Sequence, residues 1–121
     1  MTKKSIMVVD DDELIRLALK INLERAGFDI SIAETAESAL ERLNEHQYDL
    51  LLNDFLMPGI NGLELMLQAK KIYPDIKVII FSGFAEESMP DMFLELGADY
   101  FFQKPINTKD LVKCIQNILS Q

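Results

Sequence analysis

Residues 78–83 have the sequence VIIFSG, in which four apolar residues precede a serine and a glycine. A strand that is apolar at consecutive positions buries both of its faces, as in a parallel sheet covered by helices. Similar short runs recur along the chain, and each precedes a stretch with helical periodicity. These runs are Ile6-Met7-Val8-Val9, Ile30 with Ile32, Leu50-Leu51-Leu52 and Tyr100-Phe101-Phe102. The sequence therefore predicts five strands in alternation with five helices.

The helices are predicted from apolar residues that recur at helical spacing. Thr35 and Thr108 are the expected N-caps, while Gly27, Pro74 and Gly97 mark helix ends. The fold class that five such βα units predict is α/β, a flavodoxin-like doubly wound (βα)5 domain. Its five-stranded parallel sheet has the order 2-1-3-4-5, with helices on both faces. The helical stripes are Leu14, Leu17, Ala18 and Ile21; Ala36, Ala39, Leu40 and Leu43; Leu63, Met66, Ala69 and Ile72; Met89, Met92, Phe93 and Leu96; and Leu111, Ile115, Ile118 and Leu119.

Length and composition predict one domain over residues 1–121, with an apolar fraction of 49% that can form a sizeable core. The single cysteine, Cys114, excludes an internal disulfide, and no signal peptide or membrane-spanning run is visible. We therefore expect a cytoplasmic protein. The net charge of −8 argues against direct binding to nucleic acid or to an anionic membrane, since both need a basic surface.

Polar residues follow four of the apolar runs, at the edge of the sheet where open α/β folds form their sites. Asp10-Asp11-Asp12-Glu13 follow the first run, Asn53-Asp54 the third, Ser82-Gly83 the fourth and Lys104-Pro105 the fifth. Each group alone has an ordinary role as a cap, a turn or a solvated side chain. Together they predict one cleft whose packed carboxylates need a cation, and an all-oxygen site favours Mg²⁺. The only histidine, His46, lies in the second helix, away from this cleft.

These residues together resemble the receiver domain of two-component response regulators, over the chain from Ile6 to Leu119. The most specific stretches are Val8-Val9-Asp10-Asp11-Asp12-Glu13-Leu14-Ile15-Arg16, Asp54-Phe55-Leu56-Met57-Pro58-Gly59 with Gly62, and Lys104-Pro105. The spacing between the three blocks matches as well.

The resemblance implies a role for each residue of the cleft. Asp54 would be the phosphoacceptor, in a step that depends on Mg²⁺. Asp11 would bind the metal directly, Asp10 would act mainly through metal-bound water, and the Leu56 backbone carbonyl would complete the protein ligands. Ser82 and Lys104 would each bind a phosphoryl oxygen. The peptide bond between Lys104 and Pro105 would be cis.

The resemblance also implies a switch, in which phosphorylation moves Ser82 inward and rotates Phe101. The same Phe101 could equally be ordinary core. The output surface would comprise the fourth helix, the fifth strand and the fifth helix, and an output domain or target protein could bind there. It includes Met89, Met92, Phe101 and Lys109. Leu56 and Phe84 occupy two positions thought to tune dephosphorylation, and both are apolar here, which predicts a long-lived phosphorylated state.

The function that follows is a phosphorylation-controlled signalling switch rather than an enzyme acting on an outside substrate. Its partner would be a histidine kinase or a histidine phosphotransfer protein. Two alternatives are a pseudo-receiver that binds without being phosphorylated and a magnesium-dependent phosphohydrolase. The first would lack an acid or the lysine, and the second would carry its nucleophile after the first strand. Whether the chain acts alone or belongs to a longer regulator stays open, as do the kinase, the pathway and the oligomeric state.

Overall fold

A computed structural model describes residues 3–83 and 89–120 of the chain. Strands and helices alternate through these residues, as the apolar runs and helical stripes predict. The strands are β1 (Ser5–Val9), β2 (Asp29–Ala33), β3 (Leu50–Asp54), β4 (Lys77–Ser82) and β5 (Tyr100–Gln103). The helices are α1 (Glu13–Arg25), α2 (Ala36–Glu45), α3 (Gly62–Ile72), α4 (Met89–Glu95) and α5 (Thr108–Leu119).

The five strands form one parallel sheet of order β2-β1-β3-β4-β5, which confirms the predicted doubly wound fold. Its register aligns the strand ends that carry polar residues. Val9 lies opposite Asn53, Asp54 lies opposite Phe81, and Ser82 lies opposite Gln103. The residues that follow β1, β3, β4 and β5 therefore meet at one edge.

Each face of the sheet carries its own apolar core, because side chains alternate between the faces of a strand. Ile6 and Val8 of β1 pack with buried residues of α1 and α5. Met7 and Val9 pack on the opposite face with residues of α2, α3 and α4. Strand β3 lies between the two cores and is buried at every position. A strand buried on both faces gives its last residues a fixed position.

Most of the predicted helix ends are confirmed. The Thr35 hydroxyl accepts a hydrogen bond from the Ser38 amide at 3.1 Å, and Gly27 follows α1 with a φ of 99°. The N-cap prediction for α5 was wrong by one residue. The Asn107 side chain accepts from the Asp110 amide at 3.1 Å, and Thr108 is the first helical residue. An asparagine carbonyl reaches the amide three residues on, so Asn107 takes the role assigned to Thr108.

One of the stripes that indicate helices does not face the core, and the stripe of α4 faces it only in part. Helix α1 buries Leu19 and Leu23, whereas α4 buries only Phe93. The predicted stripe of α1 is exposed at all four positions, Leu14, Leu17, Ala18 and Ile21. Helix α1 is thus apolar on both sides, and one side is left open to solvent. In the described part of the chain, no helix combines the length and the apolar character that a membrane crossing requires.

Candidate functional site

The polar residues predicted to share a cleft are gathered at the carboxyl edge of the sheet. Asp10 follows β1, Asp54 ends β3, Ser82 ends β4 and Lys104 follows β5. Asp10 and Ser82 are fully buried, and Asp54 is 4% exposed. Two buried carboxylates at the end of a sheet are costly unless charge or hydrogen bonds compensate them. The site supplies that compensation from Lys104, just beyond β5.

Lys104 joins the two buried carboxylates. Its Nζ lies 3.0 Å from Asp10 Oδ2 and 3.2 Å from Asp54 Oδ2. The same ammonium lies 5.1 Å from the centre of the Phe81 ring, which lies below it. The Lys104 amide donates to the Ser82 carbonyl at 2.8 Å, and the peptide bond to Pro105 is cis, as expected. β5 therefore delivers one positive charge to the acids of β1 and β3.

Asp10, Asp11 and Asp54 form a cluster that fits a divalent cation. One carboxylate oxygen from each lies within 4.8 Å of the others. Asp11 is exposed, so the cluster opens to solvent on one side. Oxygen ligands of this kind suit a hard cation such as Mg²⁺, which keeps several waters and uses few protein groups.

The ionisation of the site reflects burial and mutual repulsion. Burial raises the pKa of Asp54, and the neighbouring Asp10 charge raises it further, while Lys104 lowers it. Burial also raises the pKa of Asp10, against hydrogen bonds from the Asp12 amide and Lys104. Burial alone would lower the pKa of Lys104, but its contacts with Asp10 and Asp54 outweigh this and raise it. The ammonium therefore stays charged, while the carboxylates gain from further positive charge.

The turn after β1 is shaped by contacts that the sequence alone did not indicate. Arg16 of α1 donates from Nη1 to the Asp10 carbonyl at 2.9 Å. The Asp12 amide donates to Asp10 Oδ1 at 2.8 Å, and the Asp12 side chain caps α1 through the Leu14 amide at 2.9 Å. Capping and site formation therefore coexist in this acidic run. Arg16 was visible only as part of the motif, with no signal of its contact.

The loop after Asp54 is anchored to β4 and closed at its base by one backbone hydrogen bond each. The Phe55 amide donates to the Phe81 carbonyl at 2.8 Å, and the Gly62 amide donates to the Phe55 carbonyl at 2.8 Å. A Cβ on Gly62 would collide with the Asp54 carbonyl, so only glycine fits there. Leu56 lies in this loop and is 52% exposed. Phe84, predicted to act with Leu56, lies outside the described residues.

A row of three aromatic rings runs from the phosphoacceptor candidate to β5. The Phe55 and Phe93 ring centres are 4.9 Å apart, and the Phe93 and Phe101 ring centres are 5.4 Å apart. Phe93 is fully buried, whereas Phe101 is half-buried. The sequence showed Phe101 as a candidate switch, but it did not indicate that the Phe55 and Phe93 rings form a row with it, because their proximity depends on how α4 packs. Aromatic pairs at these distances attract one another.

This arrangement has the parts that phosphoryl transfer needs. A carboxylate nucleophile lies beside an ammonium and beside oxygen ligands for a cation, and together these can offset the charge on a transferring phosphoryl group. The fold and the site thus define a doubly wound α/β domain with an acidic, lysine-bridged site at the carboxyl edge of its parallel sheet. The sequence model of the response regulator receiver domain matches residues 6–116. The chain therefore belongs to the response regulator receiver domain family, whose members act in two-component signalling.

Individual relatives agree with this assignment. The response regulator receiver protein CpdR of Brucella abortus is 37% identical, over 96% of this chain and 97% of CpdR. The phosphate regulon transcriptional regulatory protein PhoB of Pseudomonas aeruginosa is 33% identical over 98% of this chain, which spans 53% of PhoB. The CheY-like receiver domain from Methanospirillum hungatei has a TM-score of 0.93 at 34% identity, covering 98% of this chain and 95% of that one. The chain is thus similar in extent to CpdR, but spans about half of PhoB.

Proposed function

We propose that Asp54 is the phosphoacceptor of a two-component signalling switch that spans residues 1–121 as one receiver domain. The contact that carries this proposal is the Lys104 ammonium, held between Asp10 and Asp54 at 3.0 and 3.2 Å. This contact holds a positive charge beside the Asp54 carboxylate, at the end of the buried strand β3. The cytoplasmic location and the absence of nucleic-acid and membrane binding stay predictions.

The proposed reaction moves a phosphoryl group from a histidine to Asp54. A carboxylate oxygen of Asp54 attacks the phosphorus in line, the bond from phosphorus to the imidazole nitrogen breaks, and that nitrogen keeps the electron pair. Mg²⁺, held by Asp10, Asp11, Asp54 and the Leu56 carbonyl, would neutralise charge on the phosphoryl oxygens when bound. Water hydrolyses the resulting acyl phosphate later, so the chain promotes only its own phosphorylation and dephosphorylation.

Ser82 and Lys104 would receive the phosphoryl oxygens. Ser82 ends β4 beside the site, and Lys104 already contacts the Asp54 carboxylate. Once a phosphoryl group is attached, the ammonium can pair with one of its oxygens, and the Ser82 hydroxyl can donate to another. Gly83 adds no side chain at this point, which leaves room for the group.

The phosphodonor would be a histidine kinase or a histidine phosphotransfer protein, and it needs a place to dock near Asp54. Lys104 lines an apolar groove between α1 and the loop after β5, so the groove and the acidic site share one residue. The exposed stripe of α1 lies along the same helix. This continuity favours a donor with an apolar helical face. The other groove residues are Ile15, Ala18, Leu19, Asn22, Pro105, Ile106 and Thr108.

The response would appear at α4, β5 and α5. Met92 is 40% exposed and Lys109 is exposed, while Met89 and Phe101 are half-buried. A half-buried Phe101 can change its exposure, and the Phe93 ring links it to the loop beside Asp54. An inward shift of Ser82 together with rotation of Phe101 would therefore alter this surface. An output domain or a target protein would recognise the change.

Labelling with acetyl phosphate tests the proposed function. We expect the wild-type chain to gain the mass of one phosphoryl group in the presence of magnesium chloride, and to gain none in the presence of EDTA. The Asp54→Ala variant should gain none in either condition, because the nucleophile is missing. Intact-mass spectrometry measures the gain.

The matched control is Asp29→Ala, which removes an exposed aspartate at the opposite end of the sheet. It should be labelled like the wild-type chain. Equal labelling of the Asp54→Ala variant would overturn the proposal, and complete lack of labelling in the wild-type chain would favour a pseudo-receiver.

A further inference from the structure

Asn53 is a buried polar residue that the proposed reaction does not use. It precedes Asp54 in β3, has no solvent exposure, and follows three leucines that are equally buried. By alternation along the strand it faces the α2, α3 and α4 side, away from the carboxylate cluster. A leucine side chain, which has no polar atom to bury, would suit this apolar environment.

The asparagine leaves one of its polar atoms unsatisfied. Within the described residues, Asn53 Oδ1 is buried and has no hydrogen-bond partner. Burial without a partner costs free energy, because the carbonyl loses its hydration and gains no bond in exchange. Because the unsatisfied Oδ1 is unfavourable, the role of Asn53 must come from its other polar group, Nδ2.

The other group, Nδ2, donates to the Gly62 carbonyl at 2.9 Å. Gly62 is the first residue of α3 and lies against the Asp54 backbone. Residues 55–61 form the loop that connects Asp54 to this glycine. Asn53 thus adds a side-chain bond to the backbone bond from the Gly62 amide to the Phe55 carbonyl, which closes the base of that loop.

We infer that Asn53 is a positioning residue, which fixes the base of the 55–61 loop and so holds the Leu56 carbonyl where it can bind the cation. The inference rests on the proposed function, since it needs the cation at Asp54. Groups that hold metal ligands in place from behind strongly affect metal affinity, although they never touch the ion. Asn53 would act in this way through Gly62.

The Asn53→Leu variant separates this role from a merely structural one. It removes the donor and also the unsatisfied oxygen, and the Gly62 carbonyl keeps its helical partner four residues on. We therefore expect a urea midpoint equal to or above that of the wild-type chain. The dissociation constant for magnesium should nevertheless rise about tenfold, within the range seen for such supporting residues. Magnesium chloride titrations followed by the Asp54 and Leu56 amide signals in NMR measure the constant.

The matched control is Leu51→Met, a change of similar size on the same strand and the same face, one pleat further from the site. It should bind magnesium like the wild-type chain. If the leucine variant does not fold, Asn53→Ser removes the reach to Gly62 with less change in polarity and is titrated in the same way. A magnesium constant within twofold of the wild-type value in a folded Asn53 variant would overturn the inference.

The two proposals fail in different ways. If the wild-type chain binds magnesium and the folded Asn53 variants bind it equally well, only the role of Asn53 is wrong. If the wild-type amides of Asp54 and Leu56 do not respond to magnesium chloride at all, the proposed cation site is wrong, and the role of Asn53 is wrong with it.

Discussion

Strands β3 and β5 both deliver a charged residue to the site, yet their surroundings differ. β3 is central, lies between two cores and is buried at all positions, including Asp54. β5 is an edge strand whose four residues are exposed or half-buried, with Tyr100 47% exposed. Lys104, just beyond β5, contacts the end of β3 across β4. A strand packed on both faces thus carries the proposed nucleophile, and a more exposed edge strand leads to its counter-charge.

In the proposed function, this difference separates the phosphoryl-transfer chemistry from the response. Phosphoryl transfer needs reacting groups held in position, and a strand packed on both faces provides that. A signal needs a surface that can adopt two arrangements, and a half-buried edge is more easily rearranged than a core. Lys104 and the aromatic row connect the two strands. A change in charge at Asp54 therefore acts directly on Lys104, which follows the edge strand, as well as on Asp10.

The largest effect is expected from removal of the Phe93 ring, which connects the loop after β3 to β5. We expect Phe93→Ala to lower the free energy of unfolding by about 3–5 kcal/mol, because it removes a buried ring that contacts Phe55 and Phe101. Urea denaturation followed by circular dichroism measures the loss. The neighbouring variant Met92→Ala, at a 40% exposed position, should change stability by less than about 0.5 kcal/mol. Equal losses in the two variants would contradict a structural link through Phe93.

A second, smaller effect concerns the charge on β3. We expect Asp54→Asn to raise the free energy of unfolding by roughly 1–3 kcal/mol in metal-free buffer at neutral pH, because close like charges repel by a few kcal/mol. Burial and Asp10 raise the pKa of Asp54, so the folded chain holds this proton more tightly than the unfolded chain does. The wild-type chain therefore loses stability as the pH rises from the usual carboxyl pKa through the raised one.

The difference between Asp54→Asn and the wild-type chain should accordingly vanish below the usual carboxyl pKa and reach its full size above the raised value. Magnesium chloride should reduce it, since the added cation compensates the ionised cluster. Urea midpoints measured across this pH range, with and without EDTA, give the comparison. A difference that stays constant across the range would exclude ionisation of Asp54 as its cause.

The sequence was sufficient to predict the sheet, because β1, β3 and β4 are apolar at consecutive positions. That pattern is typical of strands that are buried on both faces in a parallel sheet. The sequence was also sufficient to bring Asp10, Asp54 and Lys104 together, since parallel strands place their carboxyl ends at one edge. It was not sufficient for the contacts of Phe93 or Asn53. Those depend on how α3 and α4 pack on the sheet, and no local pattern encodes that packing.

Helix α1 also shows that a local sequence pattern does not determine how a helix packs. The spacing of Leu14, Leu17 and Ile21 correctly indicated a helix, but these residues are exposed, and the buried side is formed by Leu19 and Leu23. A helix that is apolar on two sides gives no periodicity that identifies the inner one. Only the groove beside α1, which Lys104 also lines, gives this exposed side a role, as part of the proposed docking surface for the phosphodonor.

The smallest expected effect sharpens the contrast at the exposed end of β3. Leu56 is two residues beyond Asp54 and is 52% exposed at the mouth of the site, where its apolar side chain cannot orient an attacking water. We expect Leu56→Asn to shorten the lifetime of the aspartyl phosphate about three- to tenfold, up to about 1.4 kcal/mol in barrier height, because an amide can hold that water. Intact-mass spectrometry after removal of acetyl phosphate follows the decay. In the control variant Leu17→Asn, changed at an exposed leucine of α1, the aspartyl phosphate should decay as in the wild-type chain. An unchanged or longer lifetime in Leu56→Asn would show that Leu56 does not limit the attack of water on the phosphorylated Asp54.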